Sequence, residues 1–186
     1  MNSVLETVTG SHLYGLSHGG SDLDLYRVVL DGKTRQVIDN NVDTTTVSLN
    51  DFQKHVNNGV PQALEALFSR VARYDPAYRP FFVAMRPNLP AARQRYPRTI
   101  TACFNMDTNK SRRHALRLAY NLTLLLEHGR FDPTLEPDIA AQLTQLASDK
   151  NAAAHQINDY LDFELIKENH ANNHPSRYGD RPYCYR

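Results

Sequence analysis

Apolar positions recur along this chain in two periods. Val4 to Thr9 and Leu23 to Leu30 are short, β-branched and apolar stretches, and Val42 to Leu49 carries three consecutive Thr, so each predicts a strand. Gly10-Ser11 ends the first stretch, and the Gly-, Ser- and His-rich run to Ser21 predicts a loop. Asp31-Gly32 is a turn signal and predicts a hairpin from the second strand into a third near Gln36 to Ile38. From Asn50 the period lengthens. Phe52, Val56, Ala63, Leu64, Leu67, Phe68 and Val71 recur at helical spacing on either side of Asn58-Gly59-Val60-Pro61, which predicts two helices.

Prolines at 76, 80, 87, 90 and 97 predict a broken connection over residues 75–98, with a short helical piece near Pro80 to Met85. Leu116, Ala119, Tyr120, Thr123, Leu124 and Leu126 then predict a helix from Ser111 to Glu127, stopped by Gly129, and another runs from Pro137 to Ser148. The polar residues from Glu164 to Arg186 have no periodic apolar face and predict a surface extension. The expected organisation is a core over 1–74, a Pro-rich connection over 75–98, a helical lobe over 99–150 and a polar extension over 151–186.

Composition narrows the function classes only a little. With 186 residues the chain fits one domain of two lobes, and 41% hydrophobic with 22% charged residues is ordinary for a globular protein. The formal net charge of +1 leaves nothing global to steer the chain to nucleic acid or an anionic membrane, so any basic surface is local. No run approaches the roughly 18 apolar residues of a bilayer span, and no basic segment followed by an apolar one opens the chain, so a cytoplasmic protein with no membrane partner is expected. Cys103 and Cys184 are far apart and predict two free thiols. His155, His170 and His174 form no helical pair of the kind that binds zinc, which predicts surface histidines.

One stretch carries chemistry: Gly10-Ser11-His12-Leu13-Tyr14-Gly15, then Ser21-Asp22-Leu23-Asp24-Leu25. A Gly-Ser after a strand lets backbone amides approach an anion, because Gly has no side chain in the way. Asp22 and Asp24, two apart at a strand start, share a face roughly 6 to 7 Å apart along the chain. Ionised carboxylates that converge to about 4 Å repel by up to about 4 kcal/mol at an effective dielectric near 20, so a site that gathers them needs a cation or shifted pKa values. Such a pair suits a two-metal clamp, and Mg²⁺ prefers oxygen ligands shared with substrate phosphates.

Gly-Ser, about ten residues, then Asp-X-Asp resembles the signature of the DNA polymerase β-like nucleotidyltransferase superfamily. The longer form here is similar to a subfamily of predicted bacterial and bacteriophage nucleotidyltransferases that includes RNA-repair-associated members. Two later segments, Ser48 to Phe68 and Lys110 through Arg112-Arg113-His114 to Arg130, extend the resemblance over most of residues 3–135. The resemblance implies an α+β fold, a mixed sheet with helices on one side followed by a helical C-terminal lobe. It also implies transfer of a nucleoside monophosphate from an NTP, ATP first, to an acceptor hydroxyl with release of pyrophosphate.

In that chemistry Gly10 and Ser11 hold the β and γ phosphates, and Asp22 and Asp24 bind Mg²⁺ or Mn²⁺. A third acid on a neighbouring strand completes the site. Asp43 is the first choice, with Asp39 and Asp51 as rivals. His12 is a further phosphate donor. On the second lobe Lys110, Arg113 and Arg117 present a cationic edge, Lys110 foremost, while Glu65 stands among apolar positions as a partner for a buried cation. The sequence departs from these relatives where they read apolar-Arg-Gly after the second Asp: Leu25-Tyr26-Arg27 moves the Arg one place and so to the other face of a strand. The acceptor stays open between an RNA end, a protein hydroxyl and a small molecule, with Arg93 to Arg98 and Lys110 to Arg117 as basic stretches. The alternative is a module of this fold without turnover that binds nucleotide or nucleic acid or acts as a regulatory partner.

Overall fold

The computed structural model describes residues 3–17 and 19–171, with side chains as far as Leu161. His18 and residues 172–186 of the expected C-terminal extension, His174 and Cys184 among them, therefore lie outside the described residues, as does the side chain of His170. The fold is α+β. Strands β1 (Ser3–Thr9), β2 (Leu23–Val29), β3 (Arg35–Asp39), β4 (Val42–Ser48) and β5 (Arg73–Tyr74) form one mixed sheet in the order β3-β4-β2-β1-β5. β1 pairs antiparallel with β2 and β5, β3 antiparallel with β4, and β2 parallel with β4.

The expected hairpin at Asp31-Gly32 does not form. β3 turns instead into β4 through Asn40 and Asn41, at φ 47° and 64°, and β4 then lies beside β2. Two successive residues at positive φ make a turn whose twist matches that of the flanking strands, and Asn tolerates this conformation where most residues do not. That local chemistry prevails over Asp31-Gly32, and it returns β4 parallel to β2.

One face of the sheet is the core face. Leu5, Thr7, Tyr26, Val28 and Val47 are buried there under α2 (Leu49–Asn57) and α3 (Pro61–Phe68). Ser48 caps α2 by accepting from the Asp51 amide at 3.0 Å, and Phe52 enters an aromatic cluster with Tyr26 at 6.1 Å and Phe82 at 5.7 Å between ring centroids. The opposite face carries Glu6 and Arg27, paired at 2.5 Å, so Arg27 faces away from the core as its place in the strand requires.

Residues 75–98 are less broken than their prolines imply. α4 (Arg79–Ala84) falls at the expected short helical piece, but α5 (Leu89–Asn105) begins ten residues earlier than a boundary at 98 or 99 allows and runs through Pro97. Pro90 sits in the first turn, where an amide has no intrahelical partner to lose. Pro97 does cost a backbone bond, and burial of Ala92, Tyr96 and Ile100 at helical spacing against α6 (Asn109–His128) outweighs it. α6 begins in a Thr108–Ser111 capping box and ends at Gly129 in the left-handed conformation.

α7 (Pro137–Ala147) and α8 (Lys150–Ala171) complete the helical part, and Ala153 and Ile157 of α8 are buried with it. One alanine and one isoleucine make too sparse a stripe for the sequence pattern to show this packing, so a helix stands where a polar extension from 151 is expected. Among the described residues no helix is long and apolar enough to cross a membrane.

The turn between α2 and α3 packs closely against α5. Gly59 has φ +62°, and a Cβ there would stand 2.3 Å from Ala92 Cα on α5. Gly59→Ala is expected to destabilise the protein by about 2 kcal/mol or more and to lower Tm by roughly 4–8 °C, read by thermal unfolding.

Candidate nucleotide and metal site

The chemistry-bearing residues meet where β1 ends and β2 and β4 begin. Thr9 pairs with Asp24 across the antiparallel ladder, and Asp24 pairs with Asp43 across the parallel one, so three adjacent strands put one position each at a single edge. Asp24 and Asp43 lie in register on the core-facing side, the same side as Tyr26 and Val47. The sheet, rather than spacing along the chain, brings Asp43 beside Asp24.

Asp51 is committed elsewhere: beside Ser48 at the start of α2, its carboxylate also accepts from Lys54 and Thr34 at 3.4 Å each. Asp39 sits at the exposed end of the edge strand.

Gly10 opens α1 (Gly10–Leu13), one short turn, at φ +65°, and a Cβ there would stand 1.8 Å from Asp24 Oδ2. Only Gly lets the Asp24 carboxylate lie against the backbone at this point. Ser11 is half-buried beside it. His12 is exposed, with its Nε2 3.3 Å from the Ser21 carbonyl, which fastens α1 to the segment that delivers Asp22.

The Asp24 carboxyl is held above the usual carboxylate range by burial first and then by the charges of Asp43 and Asp22, against the opposing pull of Lys110 and His12. Asp22 and Asp43 thus act on Asp24 as like charges, and Lys110, from the helical lobe, acts as its counter-charge. Asp43 receives a 2.5 Å hydrogen bond from Gln36 Nε2 at its Oδ2, while its Oδ1 is buried with no hydrogen-bond partner. A buried carboxylate oxygen without a donor is costly and calls for a cation or a proton.

Among the described residues no three His, Cys, Asp or Glu side chains gather closely enough to hold a metal ion by themselves. Mg²⁺ is commonly held by one or two carboxylates with substrate phosphates filling its shell, and the orphaned Oδ1 and crowded Asp24 fit that donor set.

Behind this edge lies a buried polar network. Arg117 on α6 is 1% exposed and donates to Glu65 on α3 at 2.5 Å. The Tyr14 hydroxyl donates to the other Glu65 oxygen, and the Arg117 guanidinium stacks 3.5 Å above the centre of the Tyr14 ring. Arg117 also contacts His114 Nδ1 at 2.9 Å. Tyr14 directly follows α1, and its amide donates to the Gly10 carbonyl at 3.3 Å, so the network anchors the Gly10–Ser11 turn to both helical elements.

The expected cationic edge on α6 is accordingly smaller than its sequence suggests. Arg117 is an interior cation, as Glu65 requires. Arg112 is also buried, donating to the Ala147 carbonyl at 2.8 Å and to Asp107 at 2.9 Å, where it ties α6 to α7. Lys110 reaches the site by its charge, whereas Arg113 is half-buried and makes no hydrogen bond or ion pair with the described residues. Tyr14, Gln36 and His114 have positions at or behind the site that the motifs did not assign. For His114 the signal was available in its spacing of four from Lys110 and three from Arg117 on one helix. His155 is a surface histidine paired with Asp159 at 3.0 Å, and Cys103 is a free thiol.

Removing one charge from the crowded edge is expected to help the metal-free fold. Asp24→Asn should raise Tm by about 1–2 °C at neutral pH in EDTA. The gain should shrink as pH falls, because a carboxyl whose pKa is raised on folding becomes neutral in the native protein first. Breaking the buried pair acts the other way. Arg117→Met alone is expected to cost about 3–5 kcal/mol by denaturant unfolding, and the addition of Glu65→Leu to recover a large part of it, since the loss comes mainly from stranding a charge.

The chain matches no family model and no curated protein. A solved structure described as a nucleotidyltransferase-like protein from Exiguobacterium sibiricum 255-15 is similar at a TM-score of 0.33 and 14% identity, over 89% of this chain and 70% of that one. A likeness of that degree assigns no role to any residue of this chain.

Proposed function

We propose that this chain is a nucleotidyltransferase that moves a nucleoside monophosphate from an NTP to an acceptor hydroxyl. The observation that carries the proposal is the Asp24–Asp43 register beside the Gly10 turn: two carboxylates from parallel strands, one pressed on a glycine and the other with a buried, unpartnered oxygen. Asp22, Asp24 and Asp43 would hold Mg²⁺. When bound, that ion supplies Lewis-acid activation of the attacking oxygen and neutralises the leaving pyrophosphate.

The chain's own residues supply the remainder. Backbone amides at Gly10 and Ser11 and the Ser11 hydroxyl offer donors to phosphate oxygens, and Lys110 adds positive charge from the helical lobe. Asp43 Oδ1, buried and unpartnered, is the oxygen left free to take up the cation beside Asp24. The interior network of Tyr14, Glu65 and Arg117 fixes the distance between the phosphate-facing turn and the Lys110 helix, so the two donor sets stay aligned.

A second reading has one observation in its favour. Gln36 occupies Oδ2 of Asp43 and leaves a single oxygen of the third acid free, which suits a module that binds nucleotide without turnover.

Wild-type protein with α-labelled ATP and Mg²⁺ is expected to incorporate label into RNA 3′ ends, protein or small-alcohol acceptors. The Asp22→Ala, Asp24→Ala double variant should fall by about 10³-fold or more, as do other losses of metal-centred electrostatic stabilisation. MgATP binding by calorimetry without incorporation would favour the second reading. Absence of both heat and thermal shift with MgATP would remove both readings.

A further inference from the structure

His114 is a donor that the network prepares and does not use. Arg117 can only donate, so His114 Nδ1, 2.9 Å from its guanidinium, must be the acceptor, and the ring proton therefore sits on Nε2. Two cations, Lys110 and Arg117, flank the ring, and burial together with these charges keeps it neutral, with its pKa pushed down to about 3. Nε2–H has no hydrogen-bond partner among the described residues, yet it is not among the fully buried unpaired atoms.

Its direction follows from the helix. Residues 110, 114 and 117 form one stripe of α6 at spacings of four and three. The charge of Lys110 at one end of that stripe acts on Asp24, and Arg117 at the other end stacks on Tyr14. Between Asp24 and Tyr14 lies the Gly10–Ser11 turn, joined to the first by close packing and to the second by a backbone hydrogen bond. The middle of the stripe therefore faces that turn.

We infer that His114 Nε2–H donates a hydrogen bond to a phosphate oxygen of the nucleoside triphosphate, opposite the amides of Gly10 and Ser11. This rests on the nucleotide-binding reading above and adds to it a ligand contact on α6. A neutral imidazole with a fixed tautomer gives a directed donor without a further buried positive charge between Lys110 and Arg117. The phosphate is the acceptor because Lys110, one turn away on the same stripe, supplies the charge an anion needs.

The test is Mg²⁺-dependent binding of ATP and of inorganic tripolyphosphate to wild type, His114→Ala and His114→Gln by calorimetry. Gln can accept from Arg117 and donate outward with one amide. His114→Ala is expected to weaken both ligands about tenfold, and His114→Gln to stay within about threefold of wild type. Equal affinity of wild type and His114→Ala overturns the contact and leaves the nucleotide reading standing. A loss for ATP without one for tripolyphosphate overturns the phosphate assignment. No binding of either ligand by wild type overturns the nucleotide reading itself, and the contact with it.

A second measurement needs no variant. In ¹⁵N-histidine spectra at pH 5, His114 is expected to be the neutral Nε2–H ring, and its Nε2 resonance to shift on addition of Mg-tripolyphosphate. A ring protonated at that pH, or an Nε2 signal indifferent to a ligand that binds, overturns the inference.

Discussion

The Arg117–Glu65 pair is the constraint from which the rest of the site takes its geometry. A guanidinium and a carboxylate enclosed together, at 1% and 2% exposure, are tolerated only because each is hydrogen-bonded and the Tyr14 ring covers the cation. Three elements meet in that contact: the turn after β1, helix α3 under the sheet, and helix α6 of the helical lobe. An apolar contact of the same size would hold them as firmly, but with more freedom to slide. The directed bonds of Glu65, one oxygen to Arg117 and one to Tyr14, fix orientation as well as distance.

The site edge shows the opposite balance. Asp24 and Asp43 stand side by side with like charge, and one oxygen of Asp43 is buried without a donor. A fold that evolved for stability alone would place neither there. The destabilised edge rests on a rigid support, the arrangement expected where a charged ligand completes the structure.

Much of this fold was legible in the sequence because it rests on local chemistry. Strand periodicity, the Gly129 stop and the Pro137 start each depend on a few neighbouring residues, and β1, β2, β4, α6 and α7 stand at or near the places they implied. What escaped was set by competition or by distance. Asp31-Gly32 is a sound turn signal, but Asn40-Asn41 offered a better-matched one. Pro97 breaks a helix on its own, but a buried stripe of Ala92, Tyr96 and Ile100 carries the helix through.

At the site, Asp22, Asp24, Gly10 and Ser11 were legible as one contiguous motif. Glu65 was legible as a charge in need of a partner, while the identity of that partner, 52 residues away, was not. Gln36 and Tyr14 act through Asp43 and Glu65 on other elements, which no linear pattern pairs with them, whereas His114 stands at helical spacing from Lys110 and Arg117.

The β3–β4 hairpin has a consequence for how such sites diverge. Asp43 meets Asp24 because β4 aligns in parallel beside β2, and of the described side chains between the two strands only that of Gln36 is bonded to the pair. The length of that excursion is free to drift in a lineage, provided β4 returns with the acid on the inward side. The number of residues between Asp24 and Asp43 thus does not set their separation, whereas their alignment across the ladder does. Divergent chains of this architecture would be matched to one another more securely by strand register than by motif spacing.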